Sequence, residues 1–161
     1  MAELMTTNAG LVLLHQNFDN YEELLTTMAG LAKEQGLVDD TYLSALLARE
    51  KEFPTGLELP VNISISHIAT GVNRSFVSIA TLEHPVMFRS MDLSGTELQV
   101  RVAFVFGILD AQSQLAILQQ FARSFADGER IMELVNSESE EELLEKLNVL
   151  LDQMLVIGSP K

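Results

Sequence analysis

The sequence predicts an α/β (α+β) fold, a three-layer α/β/α sandwich around a mixed β-sheet. Apolar runs of strand length recur at residues 11–15, 63–67, 75–82 and 100–109. The segments between and after them carry apolar residues at helical spacing. The order is uneven: strand, two helices, three or more strands, then three helices. A doubly wound sheet would alternate more regularly, so the middle strands read as antiparallel or mixed. With 161 residues, 47% of them hydrophobic, the chain can bury a substantial core, and residues 1–161 read as a single domain.

The first run, Leu11-Val12-Leu13-Leu14-His15, follows Asn8-Ala9-Gly10 and is expected to be a central strand. Asp19-Asn20 offers an N-cap, and Glu22 and Glu23 fall in the first turn, where the helix dipole favours anions. Tyr21, Leu24, Leu25, Met28, Leu31 and Ala32 then keep helical spacing, and Gly36 closes the helix as its C′ residue. Asp39-Asp40 is a second cap. The helix after it should turn Leu43, Leu46 and Leu47 inward and end near Phe53-Pro54. Arg49 follows Leu46 by one helical turn, so it flanks the buried stripe close to the helix end.

After the turn at Pro54-Thr55-Gly56 comes a strand whose Ile63 and Ile65 share one face, with Ser64 and Ser66 on the other. His67 ends this strand, before a polar loop. Residues 75–82 form the next strand. His84-Pro85 is expected to break it, leaving Val86-Met87-Phe88 as a short extended piece. Beyond a turn at Ser94-Gly95, residues 100–109 are apolar on both faces apart from Arg101, which predicts a central strand covered by helices on both sides. From Ala111 onward the pattern is helical to the end. Leu115, Leu118, Phe121, Ala122 and Phe125 make one helix, stopped at Asp127-Gly128, and a short helix covers residues 129–135. The last helix is capped by Ser137 to Ser139, carries Glu140, Glu141 and Glu142 in its first turn, and faces inward with Leu143, Leu147, Leu150, Leu151 and Met154.

Composition removes several function classes. There is no cysteine, so disulfides and thiol catalysis are excluded and a reducing cytoplasm suits the chain. With 23 acidic against 10 basic residues the net charge is −13, which argues against nucleic-acid binding and favours basic partners. The first five residues lack a basic region and a long apolar run, so no secretory signal is expected. No run approaches the roughly 18 apolar residues of a membrane span, so no direct membrane insertion is expected. Three dispersed histidines give no metal-site spacing. Neither a phosphate-binding glycine loop nor a nucleophile elbow is present.

What remains is His67 at a strand end and Arg49 at a helix end. An imidazole has a reference pKa of about 6.5 and is largely neutral and nucleophilic at pH 7. A guanidinium fork matches phosphate oxygens. Together they are what a site for a transferred phosphoryl group needs. His15, in an apolar strand, reads as structural, and His84, before Pro85, as exposed.

Arg49-Glu50, Phe53-Pro54-Thr55-Gly56-Leu57 and Ser64-Ile65-Ser66-His67 fall in an order and spacing that resembles the phosphotransferase-system enzyme IIA domains of the fructose–mannitol–galactitol superfamily. The Phe-Pro-Thr-Gly-Leu form looks most like the galactitol-type branch. The family closes its strand on Ala-Ile-Pro-His. Here Ser64 and Ser66 replace the Ala and Pro, which frees a backbone N–H and relaxes φ before the histidine. The resemblance covers nearly the whole chain and implies a phosphocarrier. His67 would accept a phosphoryl group, as a tele-phosphohistidine, from phospho-HPr and pass it to a cysteine of an enzyme IIB that works with a membrane permease, enzyme IIC. Arg49 would stabilise the phosphate, with Thr55, Ser64 and Ser66 as further hydroxyl donors and no cofactor or metal. Gln114 stands where many relatives carry a second histidine. The alternative implied by the same fold is a regulatory protein that controls a partner through the phosphorylation state of His67.

Overall fold

The computed structural model describes residues 5–151 and 155–158. Among them are seven strands, β1 (Met5–Thr7), β2 (Val12–Gln16), β3 (Gly56–Leu57), β4 (Ile63–His67), β5 (Phe76–Arg89), β6 (Glu97–Gly107) and β7 (Leu155–Ile157). Five helices accompany them: α1 (Tyr21–Glu34), α2 (Tyr42–Glu52), α3 (Ala111–Ser124), α4 (Gly128–Val135) and α5 (Glu140–Leu150). The strands form one mixed sheet in the order β3-β4-β6-β5-β1-β7, with β2 also paired to β5. β4 runs parallel to β6, and β5 antiparallel to it.

Strand alternation builds the two faces. Ile63 and Ile65 of β4 and Val102, Phe104 and Phe106 of β6 pack with Ile117, Phe121, Ile131 and Leu143 of α3, α4 and α5. Ala103 and Val105, one residue out of phase, pack on the opposite face with Leu24, Leu25, Met28 and Leu46 of α1 and α2. The expected three layers are therefore present, with the sheet buried on both sides.

The helix boundaries follow local chemistry. The Asn20 side chain caps α1 by accepting Glu23 N–H. The helix ends in a Schellman motif, in which Gly36 (φ 73°) and Leu37 donate to the carbonyls of Lys33 and Ala32. At α2, by contrast, Thr41 occupies the N-cap without a side-chain cap bond. Asp39 instead accepts from Thr41 N–H and Oγ1, an Asx turn leading into the helix. Its buried stripe is Tyr42, Leu46 and Glu50, while Leu43 and Leu47 are only half-buried.

Five expectations need correction. Residues 12–16 are not a central strand: β2 hydrogen-bonds to β5 alone, and Leu13 and Leu14 are half-buried. The apolar run reflects packing against one neighbouring strand. The His84-Pro85 step does not end its strand. β5 continues to Arg89, but its register shifts between Thr81 and Val86, so four residues face the single Arg101 between Val100 and Val102. Pro85 lies in this bulge, where its missing N–H breaks no ladder bond, and Arg101 Nε donates to the Leu82 carbonyl at 3.2 Å.

The stripe of α3 is Ile117, Phe121 and Phe125, with Ser113 and Ser124 also buried; Leu115 and Ala122 are exposed. In α5 the buried stripe includes Leu144 beside Leu143, Leu147 and Leu151, and Leu150 is half-buried; Met154 lies outside the described residues. The chain is not helical to its end either, because β7 returns to the sheet beside β1 in parallel. Strands of three residues with one partner carry too little periodicity to be read locally.

One glycine controls how the α2–β3 turn meets the sheet. A Cβ on Gly56 would stand 2.6 Å from the Arg89 carbonyl oxygen, and Met91 N–H donates to the Gly56 carbonyl at 2.8 Å. Backbone cannot retreat as a flexible side chain can. Gly56→Ala is expected to lower stability by about 1–3 kcal/mol, read as a reduced urea midpoint at unchanged slope.

Candidate functional site

β4 and β6 run parallel and in register, Ile65 beside Phe104 and His67 beside Phe106. Their C-terminal ends therefore arrive together at one edge of the sheet. His67 closes β4 there and is 6% exposed. Its ring lies flat on Phe106, with centroids 5.0 Å apart and planes 6° from parallel. Phe106 in turn stacks on Phe121 of α3 at 5.4 Å. The imidazole is thus the outermost member of an aromatic column rooted in the core, which limits its rotation.

Its hydrogen bonding sets the tautomer. Nδ1 lies 2.6 Å from the Ile65 carbonyl oxygen, which can only accept, so Nδ1 carries the hydrogen. Nε2 keeps its lone pair and has no hydrogen-bond partner among the described residues. Burial pushes the imidazole below the usual histidine range. The Ile65 carbonyl works the other way, and the positive charge of Arg49 adds to the lowering. The arrangement is a neutral, oriented nucleophile with a cation within electrostatic reach.

Arg49 sits exposed in the last turn of α2. Its guanidinium lies over the Phe53 ring, 4.6 Å from the centroid, and it has no ion pair among the described residues. Phe53 itself is 44% exposed. A guanidinium braced by an aromatic face and free of carboxylates has its donors available for an anion.

The hydroxyls expected around the phosphate are placed differently. Ser64 and Ser66 point to the α2 side of β4, away from the imidazole, as strand alternation requires. The Ser66 hydroxyl donates to Glu50 Oε1 at 2.6 Å. Thr55 gives Glu50 its hydroxyl at 2.6 Å and its backbone N–H at 2.7 Å. Ser64 Oγ is buried without a hydrogen-bond partner among the described residues. A phosphate at Nε2 would meet none of these three hydroxyls while they are so engaged or so oriented. Gln114 is half-buried near the start of α3, and its side chain forms no hydrogen bond among the described residues. The charge of Arg49 is felt at His67, then; Thr55 and Ser66 join each other through Glu50; Gln114 and Ser64 join neither group.

Two participants escaped the sequence reading. Glu50 falls four residues after Leu46, squarely on the buried stripe of α2, and an acid at an apolar phase is itself a signal. Phe106 had no comparable signal, because its place beneath His67 depends on the β4–β6 register. His15, at φ 52°, donates from Nε2 to the Ser137 carbonyl at 2.9 Å, and His84 lies exposed beside Glu83. Neither is near the sheet edge that carries His67.

Residues 5–149 match the family described as "Phosphoenolpyruvate-dependent sugar phosphotransferase system, EIIA 2". The chain belongs to this enzyme IIA family. A galactitol-specific EIIA component from Escherichia coli K12 is 30% identical over 105 residues, 64% of this chain and 69% of the relative. The mannitol enzyme IIA of Escherichia coli superposes with a TM-score of 0.71 at 22% identity, covering 86% of this chain and 96% of the other. The same protein in complex with phosphorylated enzyme IIB gives 0.69 at 20% identity, covering 92% and 99%. Nitrogen regulatory protein IIA-Ntr from Neisseria meningitidis gives 0.68 at 22% identity, covering 91% of this chain and 96% of the other. The fold is thus that of enzyme IIA domains, whose family members act as phosphotransferase carriers. Among the described residues no helix is long and apolar enough to cross a membrane.

The His67 environment makes a pH prediction. Its protonation point in the fold lies below the unfolded value of about 6.5. As pH falls below 6.5 the unfolded chain takes up the proton first, so stability present above 6.5 is lost progressively down to the folded value. Measured against His67→Asn, the stability of the wild-type chain should fall with a slope of up to about 1.4 kcal/mol per pH unit in that window. Imidazole ¹⁵N spectra at pH 7 should display the Nδ1–H tautomer.

Proposed function

We propose that this enzyme IIA is a phosphocarrier of a sugar or polyol uptake system, with His67 as the phosphoryl acceptor and Arg49 as the charge that stabilises the transferring group. The observation that carries the reading is the free Nε2 of His67. The ring's other nitrogen is committed to the Ile65 carbonyl, and the positive charge of Arg49 is felt at the ring.

Phospho-HPr is the proposed donor. The Nε2 lone pair attacks phosphorus as the donor's N–P bond breaks, and Nδ1–H keeps its bond to the Ile65 carbonyl while the ring gains positive character. A thiolate of enzyme IIB then attacks phosphorus, and the bonding pair returns to Nε2. Such transfer is mostly positioning and charge stabilisation. The half-buried Ile68 and the exposed Phe53 flank the pair and suit a docked partner that excludes water. The excess of 23 acidic over 10 basic residues would speed encounter with a basic donor. The mannitol relative solved with phosphorylated enzyme IIB supports an enzyme IIB as acceptor, with an enzyme IIC permease beyond it. On this reading the chain works in the cytoplasm, as one domain. The galactitol-specific relative, at 30% identity, favours a transport role over the regulatory one suggested by the IIA-Ntr neighbour.

Incubated with the general phosphotransferase enzyme, HPr and phosphoenolpyruvate, the protein should gain one acid-labile, base-stable phosphoryl group on His67. His67→Ala should abolish it, and labelling that maps to His15 or His84 overturns the assignment. Arg49→Ala should slow transfer by roughly 10²–10³, or about 2–4 kcal/mol, with Arg49→Lys recovering only part. A rate within about twofold of wild type removes Arg49 from the mechanism.

A further inference from the structure

Arg49 and His67 lie on different elements, and neither α2 nor β4 alone sets the distance between them. A carboxylate joins the two ends. Glu50 is 4% exposed. Its Oε1 accepts the hydroxyls of Ser66 and Thr55, each at 2.6 Å, and its Oε2 accepts Thr55 N–H at 2.7 Å. The two hydroxyl oxygens are themselves 3.2 Å apart, and the Thr55 carbonyl accepts Ile65 N–H at 3.2 Å. Glu50 is covalently next to Arg49, and Ser66 is next to His67. Arg49 thus has the buried carboxylate as its immediate neighbour, and His67 has a neighbour fastened to that carboxylate.

An acid so buried is costly unless its oxygens are fully engaged. Burial raises its protonation point, and the Ser66 and Thr55 donors oppose the rise. Apolar residues of similar volume could fill the same space at equal or better stability. What a carboxylate adds is direction: three donors at fixed angles specify how the helix end meets the strand end. Because successive strand residues face opposite sides, Ser66 ties β4 from behind and leaves the imidazole side open.

We propose that Glu50 is a positioning residue for phosphoryl transfer, holding the end of α2 against the end of β4 so that Arg49 stays beside the His67 ring. The proposal rests on the phosphocarrier reading and deepens it. Glu50 does not touch the phosphoryl group, since it lies across β4 from the imidazole. Releasing the clamp should slow turnover without weakening donor binding.

The test compares Glu50→Gln, Ser66→Ala, Arg49→Ala and the double variant Glu50→Gln/Arg49→Ala, each verified as folded by its denaturant transition. Ser66→Ala keeps the carboxylate and removes one donor, so the test survives if Glu50→Gln does not fold. Labelling at saturating phospho-HPr should slow roughly 10–100-fold in Glu50→Gln and about 3-fold in Ser66→Ala, with the half-saturating HPr concentration unchanged. In the Arg49→Ala background, Glu50→Gln should cost less than about twofold more. Wild-type turnover in both folded single variants, or a fully multiplicative double variant, overturns the proposal.

A second readout needs no transfer. Arg49 is the charged side chain that lowers the His67 titration. If Glu50→Gln lets it move away, the NMR midpoint of His67 should shift upward, toward the Arg49→Ala value. Simple loss of a negative charge would shift it downward, and a downward or absent shift overturns the proposal. If the wild-type chain takes no phosphoryl group at all, the phosphocarrier reading fails, while the midpoint still decides whether Glu50 places Arg49.

Discussion

The parallel pairing of β4 with β6, which sets His67 beside Phe106, is the constraint on which the rest of the site depends. A parallel ladder fixes which residues of the two strands stand side by side, and a slip of one residue would turn every side chain of β4 to the other face. In the register observed, the imidazole lands on an aromatic column that runs through Phe106 to Phe121 of α3. The two serines land on the side of α2. One strand of five residues thereby presents a reactive ring to one layer and an anchoring hydroxyl to the other.

That division explains how a small site can be both rigid and reactive. The stacking ring and the Ile65 carbonyl hold the imidazole in one orientation and one tautomer, so little reorganisation is needed when charge develops on it. Burial disfavours the protonated form, which keeps the nucleophile available at neutral pH. Arg49 is treated differently. It is exposed and, among the described residues, braced by Phe53, so its fork is free to adjust to an anion. The rigid member is the proposed acceptor and the adaptable member the proposed charge stabiliser.

Ser66, where the resemblance expects a proline, takes on a physical meaning in this frame. A proline restrains the strand end through its ring and a fixed φ. Ser66 restrains it through a hydrogen bond to Glu50. Both limit the freedom of the residue before the histidine, one covalently and the other through a buried carboxylate shared with Thr55. The bulge at Pro85 is a comparable case, in which a residue without an N–H is absorbed into a continuous strand because it falls in the register shift between Thr81 and Val86, where no ladder pair is lost.

The layered α/β class, the strand that ends at His67, the helix that carries Arg49 and ends near Phe53-Pro54, and the glycine turn between them were all legible in the chain's local patterns. These follow from local periodicity, caps and turn chemistry, which act over a few residues. The central place of β6 was also legible, because an uninterrupted apolar run tolerates burial on both faces. The side place of β2, the return of β7 beside β1, the phase of α3, and the partners of Thr55 and Ser66 were set by long-range packing. A five-residue strand does not encode its neighbours, and a hydroxyl donates to whichever acceptor packing brings near. Glu50 stands between the two cases. Its phase on α2, in line with Tyr42 and Leu46, is written in the sequence, but the three donors that justify burying an acid there come from segments that meet only in the folded chain.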